Sequence, residues 1–593
     1  MRDARGSEII ADHLEAEGVP FVFGLCGHGN VGMLDTLRER TALRSVTTHH
    51  ESVAGFMADA HYRVSGRPVA TLTSCGPGSA LLPVALAAAL SDASAFLAIT
   101  GNVPTQQFNR GPFQESGYHF QADFPSVVRP YVKRSFQATR PEQLPLMLHQ
   151  GFTTMAAGRP GPVHLDVPLN VFVETTDAEI ADPALWRRGI STRVAAAAED
   201  LAACVDVLTS ARRPLFLVGS AAGEAASEIA ALSEEFGIPV AWTPDGKGVV
   251  DPRQGLALGE TGRNGALSAN RAAREADVIV AVAARFDDRA TSSWLPGITL
   301  SVPPTRLVQV EVDALEIGRN LPVHLGIVAS PRTFAGQLLD SLRQAAPDTS
   351  GWDDWRQRVV SERAQWLARH DGSDEPASRR PLAPEHLLAE VRRVFPEDGI
   401  LLSDVGVHHN WIVQEWPAYR PGTLLQSWGF ASMGFGLAGA LGAQLAAPDR
   451  RVLCIAGDGG FLMLPSVVAT AVEYDLPVVW LVWNNRGFIS IRDIQRGFFG
   501  AGREFLTDFL GPDDQLYSAD HAAMASAMGA HSIHVDDPSG LADAVEAAFA
   551  TGRPCVIDVD VDRETTPLAT GSWSLPPLPH AVPGWLHDPA MPA

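Results

Sequence analysis

Arg451-Val452-Leu453-Cys454-Ile455-Ala456 runs into Gly457-Asp458-Gly459-Gly460, and Pro477-Val478-Val479-Trp480-Leu481-Val482-Trp483 runs into Asn484-Asn485. These two stretches decide the fold. Each is an apolar run of strand length that ends in a short polar word. Between them, Leu462 to Glu473 has helical periodicity. The pattern predicts a βαβ unit with both words at the carboxyl ends of strands, where open α/β sheets bind ligands. Asp and Asn side chains offer hard oxygens suited to a small divalent cation that accompanies phosphate. The glycines let the main chain approach a diphosphate with no Cβ in the way. A lone glycine-aspartate-glycine word would be an ordinary turn, and the pairing argues against that.

Working outward, 593 residues predict about three domains at roughly 150 residues each. Alternating strand and helix patterns predict an α/β protein of three doubly wound parallel-sheet domains. The first domain covers 1–175, with strands over Pro20–Gly24, Pro68–Thr73 and Val163–Val167. Residues 175–193 are polar and poorly periodic and are read as a linker. The second domain covers 194–344, with strands over Pro214–Gly219, Val278–Val282 and Leu307–Val312. The charged, Trp-containing stretch 345–380 reads as a linker with a surface helix. The third domain covers 381–562 and includes Gly399–Asp404 and Cys555–Val559 as strands. The Pro-rich segment 563–593, carrying Trp573 and Trp585, is expected to be an arm or a lid.

A net charge of −22 argues against a nucleic-acid or anionic-membrane partner. The five cysteines are scattered singly, with no CxxC pair, which argues against a cysteine zinc site and fits a reducing cytoplasm. The start of the chain shows no signal-peptide pattern. The apolar run Leu81–Leu90 ends at Ser91-Asp92, well short of a membrane span.

Further segments carry a resemblance from Gly24 to Asp560. The paired words resemble the thiamine-diphosphate signature. His49-His50-Glu51-Ser52-Val53-Ala54-Gly55 is similar to the HE-x-x-A-G/A word of acetolactate synthase and its relatives, and Ser74-Cys75-Gly76-Pro77-Gly78 to their SGPG turn. Asp404-Val405-Gly406-Val407-His408-His409 resembles their loop at the diphosphate. Trp428–Leu437, Gly101–Pro104, Phe113-Gln114-Glu115, Gly158–Val163, Arg285–Thr291 and Glu316–Asn320 match further family words. The chain is thus similar to the acetolactate synthase (acetohydroxyacid synthase) family of thiamine-diphosphate enzymes.

The resemblance implies a pyrimidine-binding, a central FAD-type and a diphosphate-binding domain. Asp458, Asn485 and the carbonyl of Gly487 would bind Mg²⁺. Glu51 would sit on the aminopyrimidine ring and tune its proton transfer. Gly76, Val405, Gly406, Val407, His408, Gly459, Gly460, Phe488 and Ile489 would line the cofactor, with Met433 propping its bend. FAD without a redox role would touch Arg159, Gly219, Gly262, Arg263, Arg285, Asp287, Arg289 and Glu311. Gln114 and Lys133 would lie on the substrate side. The implied site forms between two chains, so at least a homodimer, and a homotetramer beyond it, is expected in the cytoplasm.

Three departures bear on the substrate. Gly27-His28-Gly29-Asn30-Val31 resembles the trihydroxycyclohexanedione hydrolases, and His28 is either a proton shuttle or a turn histidine. Ile494 stands where the synthases have a Trp that narrows the site, and Arg492 is either a carboxylate-binding cation or a solvent-facing residue. The segment Gly117–Tyr131 is longer than in the family and adds Tyr118, His119 and Phe120. The implied reaction is decarboxylation of a pyruvate-like 2-oxo acid with transfer of the acyl unit to a carbonyl acceptor. The alternative is hydrolytic C–C cleavage of a cyclic dione.

Overall fold

A computed structural model describes residues 3–115, 123–187, 193–369, 379–535 and 537–573. Tyr118, His119, Phe120 and Trp585 lie outside them. Three six-stranded sheets, parallel throughout, succeed one another along the chain.

The first sheet contains β1 (Phe21–Gly24), β2 (Arg44–Thr47), β3 (Ala70–Thr73), β4 (Leu97–Asn102), β5 (Arg134–Gln137) and β6 (Val163–Pro168), in the order β2-β1-β3-β4-β6-β5. The second contains β7 (Pro214–Val218), β8 (Val240–Trp242), β9 (Ala257–Glu260), β10 (Val278–Val282), β11 (Arg306–Glu311) and β12 (Leu325–Val328), in the order β9-β8-β7-β10-β11-β12. The third contains β13 (Ile400–Ser403), β14 (Leu424–Gln426), β15 (Val452–Gly457), β16 (Val479–Asn484), β17 (His531–Val535) and β18 (Cys555–Asp560), in the order β14-β13-β15-β16-β18-β17.

Counted within each block, the first and third sheets share the order 2-1-3-4-6-5. The middle sheet has the order 3-2-1-4-5-6 of dinucleotide-binding domains. Each order reverses beside its first strand, and the 2-1-3-4-6-5 orders turn back once more where the sixth strand lies between the fourth and the fifth. The crevices lie between β1 and β3, between β7 and β10, and between β13 and β15.

The helices that bear on the sites are α1 (Glu51–Ser65), α2 (Asp353–Arg369), α3 (Val407–Glu415), α4 (Phe435–Ala446), α5 (Asp458–Met463), α6 (Ser466–Glu473) and α7 (Ile489–Phe499). α1 begins at His50, whose ring accepts from the Ser52 N–H, and ends at Gly66 with φ 68°. The first and third blocks share one apolar core in which α1 crosses α4. Small residues permit the crossing: a Cβ on Gly442 would lie 2.0 Å from the carbonyl oxygen of Met57.

Two segments differ from the sequence reading. Thr175-Thr176 pairs antiparallel with Ala4-Arg5, so the start of the expected linker closes onto the first block. The expected surface helix is α2, and it is anchored rather than loose. Trp352, Trp355, Val359 and Trp366 are buried in the cores of the middle block, and the Trp352 and Trp355 indoles donate to the carbonyls of Ala211 and Pro214.

Candidate active site

Two clusters of site residues form, one on the first block and one on the third. On the third, the chain leaves β15 directly into α5, so Asp458 opens a helix at the crevice. Its carboxylate accepts from the N–H groups of Gly459 and Gly487, at 2.9 and 3.2 Å. Burial pushes the Asp458 carboxyl up to about 6. Asn485 is buried beside it, and Phe488 meets Phe509 edge to face.

Asp404, at the end of β13, lies across the crevice. Its Oδ1 accepts from Gly434 and Gly436, while its fully buried Oδ2 has no partner among the described residues. A Cβ on Gly460 would lie 2.6 Å from that oxygen and 4.0 Å from Met433 Cε. Burial raises the Asp404 carboxyl to about 6 and lowers the His408 imidazole to about 4. His408 Nε2 is likewise buried without a partner among those residues, and its ring lies against Gly406 and Gly457. Orphaned polar atoms around a glycine-lined crevice fit a diphosphate and a small cation, which would satisfy both kinds of group. Sequence reading had not singled out the Asp404 carboxyl, because nothing in the local pattern tells which oxygen lacks a partner.

On the first block, Glu51 is buried at the start of α1, its carboxylate against Gly78. Gly76, at φ 57°, packs under the carbonyl of Gln114, so no side chain fits there. Gln114 Oε1 lies 2.7 Å from His28 Nδ1, and His28 Nε2 lies 3.6 Å from Cys75 Sγ. The structure therefore brings Glu51, Gly76, His28 and Gln114 to one edge. Lys133 donates to the carbonyls of Ala157 and Arg159 and is not bonded to this group.

The two clusters do not meet within one chain. Thr47 and His49, just before Glu51, hydrogen-bond Tyr474 and Glu473 at the far end of α6 from Asp458. That helix alone spans about 12 Å.

At the middle crevice, Gly219 packs on the Ala283 carbonyl and Gly262, at φ 100°, on that of Arg289. Arg285 pairs with Asp92 at 2.7 Å and Arg263 with Asp288 at 2.6 Å. Asp287 accepts from the N–H groups of Arg289 and Ala290. Arg289 donates to Asn410, and burial lowers its guanidinium to about 10. Arg159 faces Glu316 at 3.7 Å, and burial with Glu316 raises Glu311 to about 8. Asp92 also accepts from the N–H groups of Trp428 and Gly429, so one carboxylate ties all three blocks together. Sequence reading missed Asp92, since its partners lie about 190 and 340 residues away.

Arg492 neither faces solvent nor stands free for a substrate. It is 1% exposed, bonded to Glu564 at 2.7 Å and to the Arg563 carbonyl, and so latches the C-terminal arm. The arm continues through Leu568 on Gln414 to Trp573, which stacks on Arg263 and meets Phe498.

Three family descriptions match this chain: "Thiamine pyrophosphate enzyme, N-terminal TPP binding domain" over residues 4–122, "central domain" over 201–338 and "C-terminal TPP binding domain" over 404–559. A probable acetolactate synthase large subunit of Methanocaldococcus jannaschii is 30% identical over 94% of this chain and 92% of its own. The chain belongs to the acetolactate synthase family of thiamine-diphosphate enzymes. The isozyme 1 large subunit of Escherichia coli is 31% identical over 84% of each chain. The large subunit of Parasynechococcus marenigrum is 31% identical over 94% of this chain and 88% of its own. This family member is a thiamine-diphosphate-dependent enzyme of acetolactate synthase type, and these relatives favour that reading over the hydrolytic one. Among the described residues, no helix is long and apolar enough to cross a membrane.

Proposed function

We propose that this chain decarboxylates a pyruvate-like 2-oxo acid and transfers the acyl unit to a carbonyl acceptor, using thiamine diphosphate and Mg²⁺. The observation that carries the proposal is the third-block crevice, where a raised Asp458 and the orphaned Asp404 Oδ2 and His408 Nε2 surround glycines. Asp458, Asn485 and the Gly487 carbonyl hold the metal. Val405, Gly406, Val407, His408, Gly459, Gly460, Phe488 and Ile489 line the cofactor, and Met433 props it. When bound, thiamine diphosphate supplies the nucleophilic carbon and the electron sink for decarboxylation.

The Glu51 carboxylate, buried at the start of α1, would bond the aminopyrimidine ring nitrogen and so tune its proton transfer. Gln114 fixes the His28 ring by Nδ1, and Nε2, beside the Cys75 thiol, serves a substrate oxygen or proton. Lys133 holds the loop before β6 through the carbonyls of Ala157 and Arg159. The middle crevice takes FAD in a non-redox role, on the strength of its strand order and its Gly219 and Gly262 cradles. Arg159, Arg263, Arg285, Arg289, Asp287 and Glu311 surround it.

A cytoplasmic homodimer is the smallest active unit, since Thr47 and His49, just before Glu51, bond the C-terminal end of α6, away from Asp458. Large exposed apolar side chains at Phe113, Phe430, Phe505 and Leu506 support a partner surface. The test is a mass-spectrometric assay with pyruvate and a panel of aldehydes, 2-oxo acids and cyclic diones. Carbon dioxide release with carboligated product is expected, and cleavage of a dione without carbon dioxide would overturn the proposal.

A further inference from the structure

A cavity of about 240 Å³ lies between the middle and third blocks. It has room for roughly eight waters at ~30 Å³ each. It sits at the C-terminal end of α3, whose other end carries His408, about 10 Å away along a rigid helix. Trp242 and Glu260 reach it from the ends of β8 and β9, Arg363 from α2, and Gln414 and Glu415 from α3.

The donors here are not balanced. The Trp242 indole is 2% exposed, and its N–H has no partner among the described residues. Arg363 has its Nε buried without a partner among them and feels Glu260 only through its field. Other groups of the same kind are satisfied nearby. Trp352 and Trp355 donate to carbonyls, and Arg356, on the same helix as Arg363, bonds Gly237, Phe236 and Thr349. Lys247 is already committed to the Val413 carbonyl and Glu260. A guanidinium and an indole N–H that line one cavity are donors a carboxylate can satisfy. Glu260 and Glu415 in the lining disfavour a phosphate dianion, and Trp366, Leu367 and Trp416 offer walls for a carbon body.

We propose that this cavity binds a small organic monocarboxylate, its carboxylate on Arg363 and the Trp242 N–H. Gln414 also bonds Leu568 of the arm, so the cavity shares a lining residue with the arm's anchorage.

The test is calorimetric titration of the cofactor-loaded Glu51→Gln chain with 2-oxobutyrate and with 2-aminobutyrate, which share a carbon skeleton. Saturable binding of at least one is expected. Arg363→Gln in the same background should weaken it at least tenfold, and Trp242→Phe by a smaller factor. Arg358→Gln, on the same helix but paired outward with Glu275, should leave it unchanged. Binding at the catalytic site would persist in Arg363→Gln and so be told apart. Binding of both acids means that the carboxylate alone is read, while binding of one identifies the oxo or the amino acid as the natural class. Equal affinity in Arg363→Gln, or no saturable binding at millimolar concentration, would overturn the proposal and leave a cavity that holds only water.

Discussion

Glu51 and Asp458 show what single residues decide. Glu51 makes no ion pair among the described residues, so its replacement should cost chemistry rather than structure. Glu51→Gln is expected to lower kcat by about 10²–10⁴-fold with an unchanged melting temperature. Near-normal turnover would remove it from the mechanism. Asp458 titrates at about 6 in the folded chain, above its ordinary 3.8. Between those values the folded state keeps a proton that the unfolded state has lost. The cofactor-free chain therefore loses stability from this group as pH rises through that window. A divalent cation competes with the same proton. The thermal shift produced by thiamine diphosphate with Mg²⁺ should thus be larger at about pH 7.5 than at about pH 5. An equal shift at both values would count against Asp458 as a ligand. Both residues were legible because each sits inside a word whose neighbours are also informative. Asp404 Oδ2 and Asp92 were not, because a missing or distant partner leaves no local trace.

Elements were legible where periodicity had only one reading. The strands read from the sequence are apolar runs between Gly- and Pro-marked turns, whereas the polar-rich β2, β5 and β17 were not among them. α2 was harder: its charges suggest a solvated helix, yet Trp355, Val359 and Trp366 recur at spacings of 4 and 7 and mark a buried face. The crossing of α1 and α4 depends on glycine at close approach. Gly442→Ala should cost ~1–3 kcal/mol in denaturant unfolding, because the Met57 carbonyl cannot move without shifting its helix. An unchanged midpoint would show that the two helices separate freely. The latch on α7 is the other element-scale device. Arg492→Met should speed proteolysis within residues 564–573 several-fold, since Glu564 loses its buried partner. An unchanged cleavage rate would mean that the contacts at Arg496, Gln414 and Arg263 hold the arm without it.

At the scale of the molecule, the decisive arrangement is that Glu51 belongs to the first block and Asp458 to the third, with α6 between their clusters. A Glu51→Gln chain mixed with an Asp458→Asn chain should recover activity that neither has alone, because a hybrid dimer contains one intact pair. Failure of the mixture, with a monomeric mass in solution, would mean that the site closes within one chain. The sequence by itself determined the three α/β blocks, the cofactor words at strand ends and the family, because strand and helix periods and glycine-rich turns are local properties. Only the tertiary structure decided which cluster each residue joins, that Arg492 holds an arm rather than a substrate, and that Asp92 ties three blocks together. Those facts depend on contacts between residues hundreds of positions apart, where side-chain burial and the choice of hydrogen-bond partner are settled by packing.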